Sequence, residues 1–306
     1  MSETARQART RVLLTGAGGF VGRAVTTHLC QAGLEVIACD LSGTPRVLDV
    51  LNRSAMLEMA LETQPRVLIH AAAITTARLE NELDLIEVNV RGTINALEAA
   101  RVAGIEHFVL FSSSGVYAAT DGPIDEHALT SSASAYGLSK LLAEQVCTLG
   151  KTSSMTVWLL RLGPIYGSGE QASETRSRTS LVHLISQAVQ TGDHVLLPRA
   201  PTDVYNWLHT HDLARLLELI ASSPNDGETH LYNVAGPPVN GPALVAAFRA
   251  AQPDVALSSL LEWHPSPSPR HGPLDSSKIT RELGWKPIVP LSEGILDSLK
   301  PLEVKR

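Results

Sequence analysis

Short apolar runs alternate with helix-periodic segments through the first half of the chain. Val12, Leu13 and Leu14 lie within Arg11–Thr15, a run that stops at Gly16, and this predicts a buried strand. Phe20–Cys30 has helical character and ends before Gly33. Leu34–Asp40 predicts a second strand. Ser54–Thr63, with Met56, Leu57, Met59 and Ala60, predicts a second helix. Arg66–His70 predicts a strand, Leu83–Ala103 a long amphipathic helix and His107–Phe111 a strand behind it. Ala135–Leu149 then predicts a helix and Thr156–Arg161 a strand. Strands alternating with helices in this way argue for an α/β fold, a doubly wound parallel sheet of the Rossmann type.

The pattern changes after Gly163. Glu170–Thr179 is polar and reads as loop. Leu181–Thr191, Leu213–Ala221 and Leu244–Ala251 read as helices. Pro265–Pro273 carries four prolines and a glycine, which predicts loop. The expected organisation is a flexible tail over residues 1–10, a dinucleotide-binding domain over 11–163, and a smaller substrate-binding lobe over 164–306. Some segments of the lobe are expected to return to the first domain.

Composition narrows the function classes. A chain of 306 residues with 44% hydrophobic and 18% charged residues can bury a large core and is not a disordered composition. Net charge is −6 with no basic run, which argues against nucleic acid as a partner. No apolar stretch has the length of a membrane span, and the first ten residues lack the apolar core of a secretory signal. Cys30, Cys39 and Cys147 have no metal-ligand spacing. Their sparse, odd number suits a reducing compartment, so a cytoplasmic location and no metal site are expected.

Two motifs carry chemistry. Gly16-Ala17-Gly18-Gly19-Phe20-Val21-Gly22 joins the first strand to its helix. Glycines are needed where the chain turns sharply, where backbone approaches a pyrophosphate, and where helix packs on strand. A plain turn could use the same residues, but the placement before an apolar helix favours a dinucleotide site, with phosphates against the helix N-terminus. Asp40 ends the second strand 18 residues beyond Gly22, where a carboxylate accepts from ribose hydroxyls and repels a 2′-phosphate. NAD is therefore expected; Arg46 nearby leaves NADP open.

The second motif is Tyr136-Gly137-Leu138-Ser139-Lys140. Four residues apart on a helix, Tyr136 and Lys140 share a face. A free phenol titrates near 10 and is a poor base at neutral pH; a neighbouring ammonium would lower that value. Ser112, Ser113 and Ser114 lie at the C-terminal end of a predicted strand, the edge where doubly wound sheets bind ligands. His209-Thr210-His211 could place two imidazoles on one strand face, but no third metal ligand accompanies them.

With these motifs in order, the chain resembles the extended short-chain dehydrogenases, the NAD-dependent epimerase/dehydratase family, from about Val12 to Pro287. The resemblance implies a catalytic group of Ser113, Tyr136 and Lys140. It implies cofactor contacts from Gly16, Gly19, Phe20, Val21, Gly22 and Asp40, with Asp49 and Val50 as an adenine-contacting pair. Ala71 and Ala72 would pass the ribose, and Leu162 would lie on the nicotinamide side. Asn89-Val90-Arg91-Gly92-Thr93 resembles the family's helix motif with a structural asparagine, and Asn89 is also counted with the cofactor residues. Tyr136 and Lys140 would also touch the cofactor. Ser114, Arg176 and Arg270 are the expected substrate contacts, with Arg178 beside them, and Glu126 aligns with an acidic position of the family. His209–Asp212 and Leu283-Gly284-Trp285-Lys286-Pro287 match its late landmarks.

Dehydratases of the family usually carry acidic residues just after the catalytic Ser/Thr, and decarboxylases a glutamate. Ser114 and Gly115 stand there, which disfavours both. Oxidation or reduction at one carbon, or epimerisation through a transient ketone, remains. Pro164, and Tyr205-Asn206-Trp207, replace residues that commonly hold a diphosphate. The expected substrate is thus a sugar, sugar acid or nucleotide sugar. A dinucleotide-sensing regulator and a reductase of an apolar carbonyl compound are the alternatives. The helices Leu83–Ala103 and Ala135–Leu149 match the pair through which relatives dimerise, so a homodimer is expected.

Overall fold

The computed structural model describes residues 9–75, 81–132, 134–173, 176–177, 179–264 and 272–300. In chain order the elements are β1 (Arg11–Thr15), α1 (Phe20–Gln31), β2 (Glu35–Asp40), β3 (Arg46–Val47), α2 (Arg53–Thr63), β4 (Val67–His70), α3 (Leu83–Ile86), α4 (Gly92–Val102), β5 (His107–Ser113), α5 (Ala135–Gly150) and β6 (Thr156–Leu162). The second half adds β7 (Ile165–Tyr166), α6 (Leu181–Thr191), β8 (Val195–Leu197), β9 (Val204–Asn206), β10 (Leu208–His209), α7 (Thr210–Ser222), β11 (Thr229–Val234), β12 (Pro238–Asn240), α8 (Gly241–Ala251), β13 (Leu261–Trp263), α9 (Ser277–Leu283) and α10 (Leu291–Ser298).

Seven strands form one parallel sheet in the order β11-β6-β5-β4-β1-β2-β3. This is a doubly wound Rossmann sheet, with strand order reversing between β1 and β4. Every residue of β4 and β6 is buried, which is why these strands read as continuous apolar runs rather than alternating ones. Successive residues nevertheless serve opposite faces. Val12, Leu14, Val67, Ile69, Trp158 and Leu160 join one core with Val25 and Leu29 of α1 and Leu213, Ala214, Leu216 and Leu217 of α7. Leu13, Leu68, Phe108, Leu110, Val157 and Leu159 join the other with Met56 of α2, Ala96 of α4 and Ala143 of α5. A third core, around Ile185, Trp207, Phe248 and Ile295, belongs to the lobe made by α6, α8 and α10.

The division near Gly163 is not a simple cut. Strand β11 completes the main sheet beside β6, and α7 packs against α1. Asp212, at the start of α7, is buried. Its carboxylate accepts from the amides of Ile288 (2.9 Å) and Val289 (3.1 Å), and its carbonyl accepts from the Trp285 indole (3.2 Å). The two late sequence landmarks are thus one contact.

Two local expectations change. The helix expected over Leu83–Ala103 is interrupted by a π-helical turn at Glu87–Arg91. Here Asn89 turns inward and bonds outside its helix, and a π turn accommodates such an insertion. His209 and His211 do not share a strand face, because α7 begins at Thr210; His209 caps that helix, its Nδ1 accepting from the His211 amide at 3.3 Å. Among the described residues no His/Cys/Asp/Glu group is arranged to hold a metal, and no helix is long and apolar enough to cross a membrane.

Leu160 is fully buried at the centre of β6. Its truncation leaves a cavity between sheet and helices, so Leu160→Ala is expected to lower unfolding free energy by about 2–5 kcal/mol, read from urea denaturation at unchanged slope.

Candidate active site

The glycine loop closes tightly on the sheet. Gly16 has a φ of +75°, and a Cβ there would lie 2.5 Å from the Ala72 amide nitrogen. At Gly22 a Cβ would lie 2.1 Å from the Gly16 carbonyl oxygen, and at Gly18 2.6 Å from that of Ser42. Gly19 differs: a Cβ would meet only the Gly16 oxygen, at 3.3 Å, and would otherwise face open space. Backbone is bare where the N-terminus of α1 meets the cleft, as pyrophosphate binding requires. Asp40 closes the far side: one carboxylate oxygen accepts from the Gly18 amide at 2.9 Å and the other from Leu41 at 2.7 Å. A dinucleotide fits this cradle, whose three blocked Cβ positions leave backbone amides and a carboxylate as its surface.

The catalytic candidates converge on the same cleft. A cavity of about 480 Å³ is lined by Gly16, Gly19, Phe20, Val21, Gly22, Asp40, Ala71, Ser113, Tyr136, Lys140, Leu162 and Arg176. Helix α5 comes this close to the end of β5 because Gly137 has no side chain; a Cβ there would lie 2.1 Å from the Gly115 carbonyl oxygen. The Ser134 hydroxyl caps the helix, accepting from Gly137 at 3.0 Å. Lys140 is 4% exposed, and its Nζ donates to the Phe111 carbonyl at 2.9 Å, 5.9 Å from the centre of the Tyr136 ring.

The electrostatics depart from the simple expectation. Burial brings the Lys140 ammonium down to about 8, against the opposing influence of Cys147 and Glu144. Burial pushes the Tyr136 phenol up; the Ser113 hydroxyl and the charge of Arg176 pull it down. Two protein cations therefore stand near the phenol: Arg176, and Lys140, whose ammonium is bonded to a backbone carbonyl. His70, buried at the end of β4 with Nδ1 2.8 Å from the Thr15 hydroxyl, is held neutral: burial, then Lys140, lowers it to about 3.

Several expected residues lie elsewhere. Asn89 is buried beneath α5 rather than on the cavity. Its carboxamide accepts from the Ile74 amide (2.9 Å) and donates to the Ile74 carbonyl (3.0 Å) and Ser139 Oγ (2.9 Å), while Ser139 Oγ donates to the Tyr136 carbonyl (2.7 Å). Asp49 caps a turn, accepting from Leu51 at 2.9 Å, and Val50 is packed in the core. Ala72 lies under Gly16. Ser114 lines a second cavity, of about 580 Å³, with Gly115, Asp121, Pro164, Arg199, Asp203 and Tyr205. Arg178 and Arg270 fall outside the described residues.

Sequence reading missed the support of the site. Glu144, one turn beyond Lys140, accepts from Arg161 Nε (2.9 Å) and Nη2 (2.7 Å) and from the Ser112 hydroxyl. Arg161 Nη1 donates to the Glu126 carbonyl (3.3 Å), and Glu126, 8% exposed, accepts from the Asn233 amide (2.8 Å). The third member of the Tyr136–Lys140–Glu144 face was visible as a spacing; its partner on β6 was not.

Fold and cleft define a dinucleotide-binding α/β protein. Residues 12–235 match the NAD dependent epimerase/dehydratase family, and the chain belongs to that family. It is 26% identical to a UDP-glucose 4-epimerase of Mycolicibacterium smegmatis, over 95% of this chain and 97% of that one. It is 27% identical to a dTDP-4-dehydro-6-deoxy-D-allose reductase of a Streptomyces species, over 76% and 77%. Among solved structures, the Thermus thermophilus UDP-glucose 4-epimerase in complex with NAD superposes with a TM-score of 0.79 at 25% identity, covering 94% of this chain and 97% of that one. The Stenotrophomonas maltophila UDP-glucose 4-epimerase, with bound NAD and formylated UDP-arabinopyranose, gives 0.83 at 24% identity, covering 95% and 97%.

The Lys140 value has a measurable sign. Below about pH 8 the buried ammonium is charged in folded and unfolded chains alike, and the full cost of burying it is present. From about 8 to 10.5 the folded chain sheds the proton first, so that cost is lost as pH rises. Urea titrations at a series of pH values should show wild type gaining stability relative to Lys140→Met across this window.

Proposed function

We propose that the protein is an NAD-dependent oxidoreductase or epimerase acting on a hydroxyl-bearing or carbonyl carbon of a sugar, nucleotide sugar or sugar acid. The observation that carries this reading is that Ser113, Tyr136 and Lys140 line the same cleft as the glycine loop and Asp40. The relatives named above are called epimerases and a reductase of nucleotide sugars, and the two solved structures named above hold NAD. Asp121, Arg199 and Asp203 in the adjoining cavity favour a polar ligand over an apolar carbonyl compound.

In this reading Ser113 Oγ and the Tyr136 phenol hold the reacting hydroxyl. Tyr136, as phenolate, takes its proton, and gives it back when the reaction reverses. Ser113 donates to the substrate oxygen and stabilises charge developing there. Lys140 has three N–H donors and uses one on Phe111, which leaves two for the cofactor's ribose hydroxyls. Asp40 accepts from the adenosine ribose and disfavours a 2′-phosphate. When bound, the dinucleotide supplies the hydride acceptor and a positive ring beside the phenol. Asp49, Val50, Ala72 and Asn89 shape the cleft from behind, through the contacts described above.

The reading extends to assembly. Ile94 and Val102 of α4 and Leu138 and Leu149 of α5 are exposed apolar residues on two helices that pack together, Leu149 at 87%. Burying such residues against a second copy would form a four-helix contact. Sedimentation velocity at micromolar concentration should give a dimer mass; a monomer would end this part of the proposal.

A screen of sugars, sugar acids and nucleotide sugars with NAD and NADP identifies the substrate. It reads both reduced-cofactor absorbance and product stereochemistry. On that substrate Tyr136→Phe should still bind NAD and lose about 10²–10⁴-fold in kcat; turnover near wild type would refute the assignment.

A further inference from the structure

Arg176 entered the sequence reading as a substrate contact, and its surroundings place it elsewhere. Its guanidinium carbon stands 5.1 Å from the centre of the Phe20 ring. Phe20 is the first residue of α1, next to Gly19, whose absent side chain leaves the helix N-terminus open to the cleft. Arg176 lines the dinucleotide cleft together with Gly19, Phe20 and Tyr136 and is not among the residues lining the second cavity, where Ser114 and Pro164 stand.

The side chain is anchored from behind. Nη2 donates to Glu170 Oε1 at 2.6 Å. Glu170 is buried and also accepts from the Ser180 amide (2.8 Å) and hydroxyl (2.6 Å). The chain before it is fastened to α1, because Arg23 Nη2 donates to the Gly169 carbonyl at 3.2 Å. Nη1 is buried and has no hydrogen-bond partner among the described residues. A guanidinium held by one edge on a carboxylate keeps donors for a second anion, and its planar fork suits phosphate. The amides at the start of α1 favour negative charge at the same place.

We propose that Arg176 binds the pyrophosphate of the dinucleotide, beside the N-terminus of α1, and is a cofactor residue rather than a substrate residue. The two anion-binding elements then grip the phosphates between them. The charge of Arg176 also acts on the Tyr136 phenol, in keeping with a position between the phosphates and the reacting atoms.

Calorimetric titration without any sugar tests this independently of the substrate assignment, using NAD, ADP-ribose and adenosine as probes. Arg176→Ala should weaken NAD and ADP-ribose alike, by about 10- to 100-fold as for a hydrogen-bonded charge, and leave adenosine unchanged. Arg176→Lys keeps the charge and stem without the fork. It should lose less than the alanine variant, and it serves as the test if that variant fails to fold. Unchanged NAD affinity in either variant would overturn the proposal. So would an equal loss for adenosine, which would mean that Arg176 acts only by packing on Phe20.

Discussion

The backbone of Gly16 lies against the Ala71–Ala72 peptide with no room for a Cβ, and the geometry of the cleft follows from that contact. It occurs between β1 and β4, where strand order reverses and the flanking helices diverge. The loop can sit so low only because Gly16 takes a positive φ and Gly22 lets α1 rest on the loop. Bare amides then face the crevice, and Asp40 is drawn in to bond Gly18. A residue with a side chain at either glycine would lift the helix and open the cradle.

A second close approach fixes the chemistry relative to that cradle. Gly137 brings α5 onto the backbone of Gly115, so that the helix carrying Tyr136 and Lys140 meets the strand end carrying Ser113. Behind this contact lies the ion pair of Glu144 with Arg161, bonded also to Ser112 and the Glu126 carbonyl. Such a pair is costly to bury and costly to break, and every polar atom it offers to the described neighbours is used. It ties α5 to β5 and β6, and through Asn233 to β11. Ser113, Tyr136 and Lys140 are thus held by the sheet rather than by the loops around the cavity.

Much of this was legible in the sequence. Apolar runs of four to seven residues gave the strands, because parallel strands covered on both faces have no polar side to interrupt them. The glycine spacing, Asp40, Ser113 and the Tyr136–Lys140 spacing were legible for a similar reason: each is a local pattern whose chemistry depends on neighbours in the chain. The structural reading of Asn89 was legible in its motif, but its partners, Ile74 and Ser139, were not, since they come from two other segments. Glu126 aligned with an acidic position yet could equally have been a solvated loop charge; its burial depends on Asn233, more than a hundred residues away.

The sequence by itself determined the alternation of strands and helices, the glycine spacing between β1 and α1 and the Tyr136–Lys140 spacing, all of which are patterns within one βα unit or one helical turn. Only the tertiary structure decided that Arg176 shares the cleft with Tyr136, that Asp212 fastens the C-terminal landmark, and that Glu144 has Arg161 as its partner. These are contacts across strands and between lobes. Their strength depends on desolvation and on distance in space, neither of which is written in the spacing of residues along a chain.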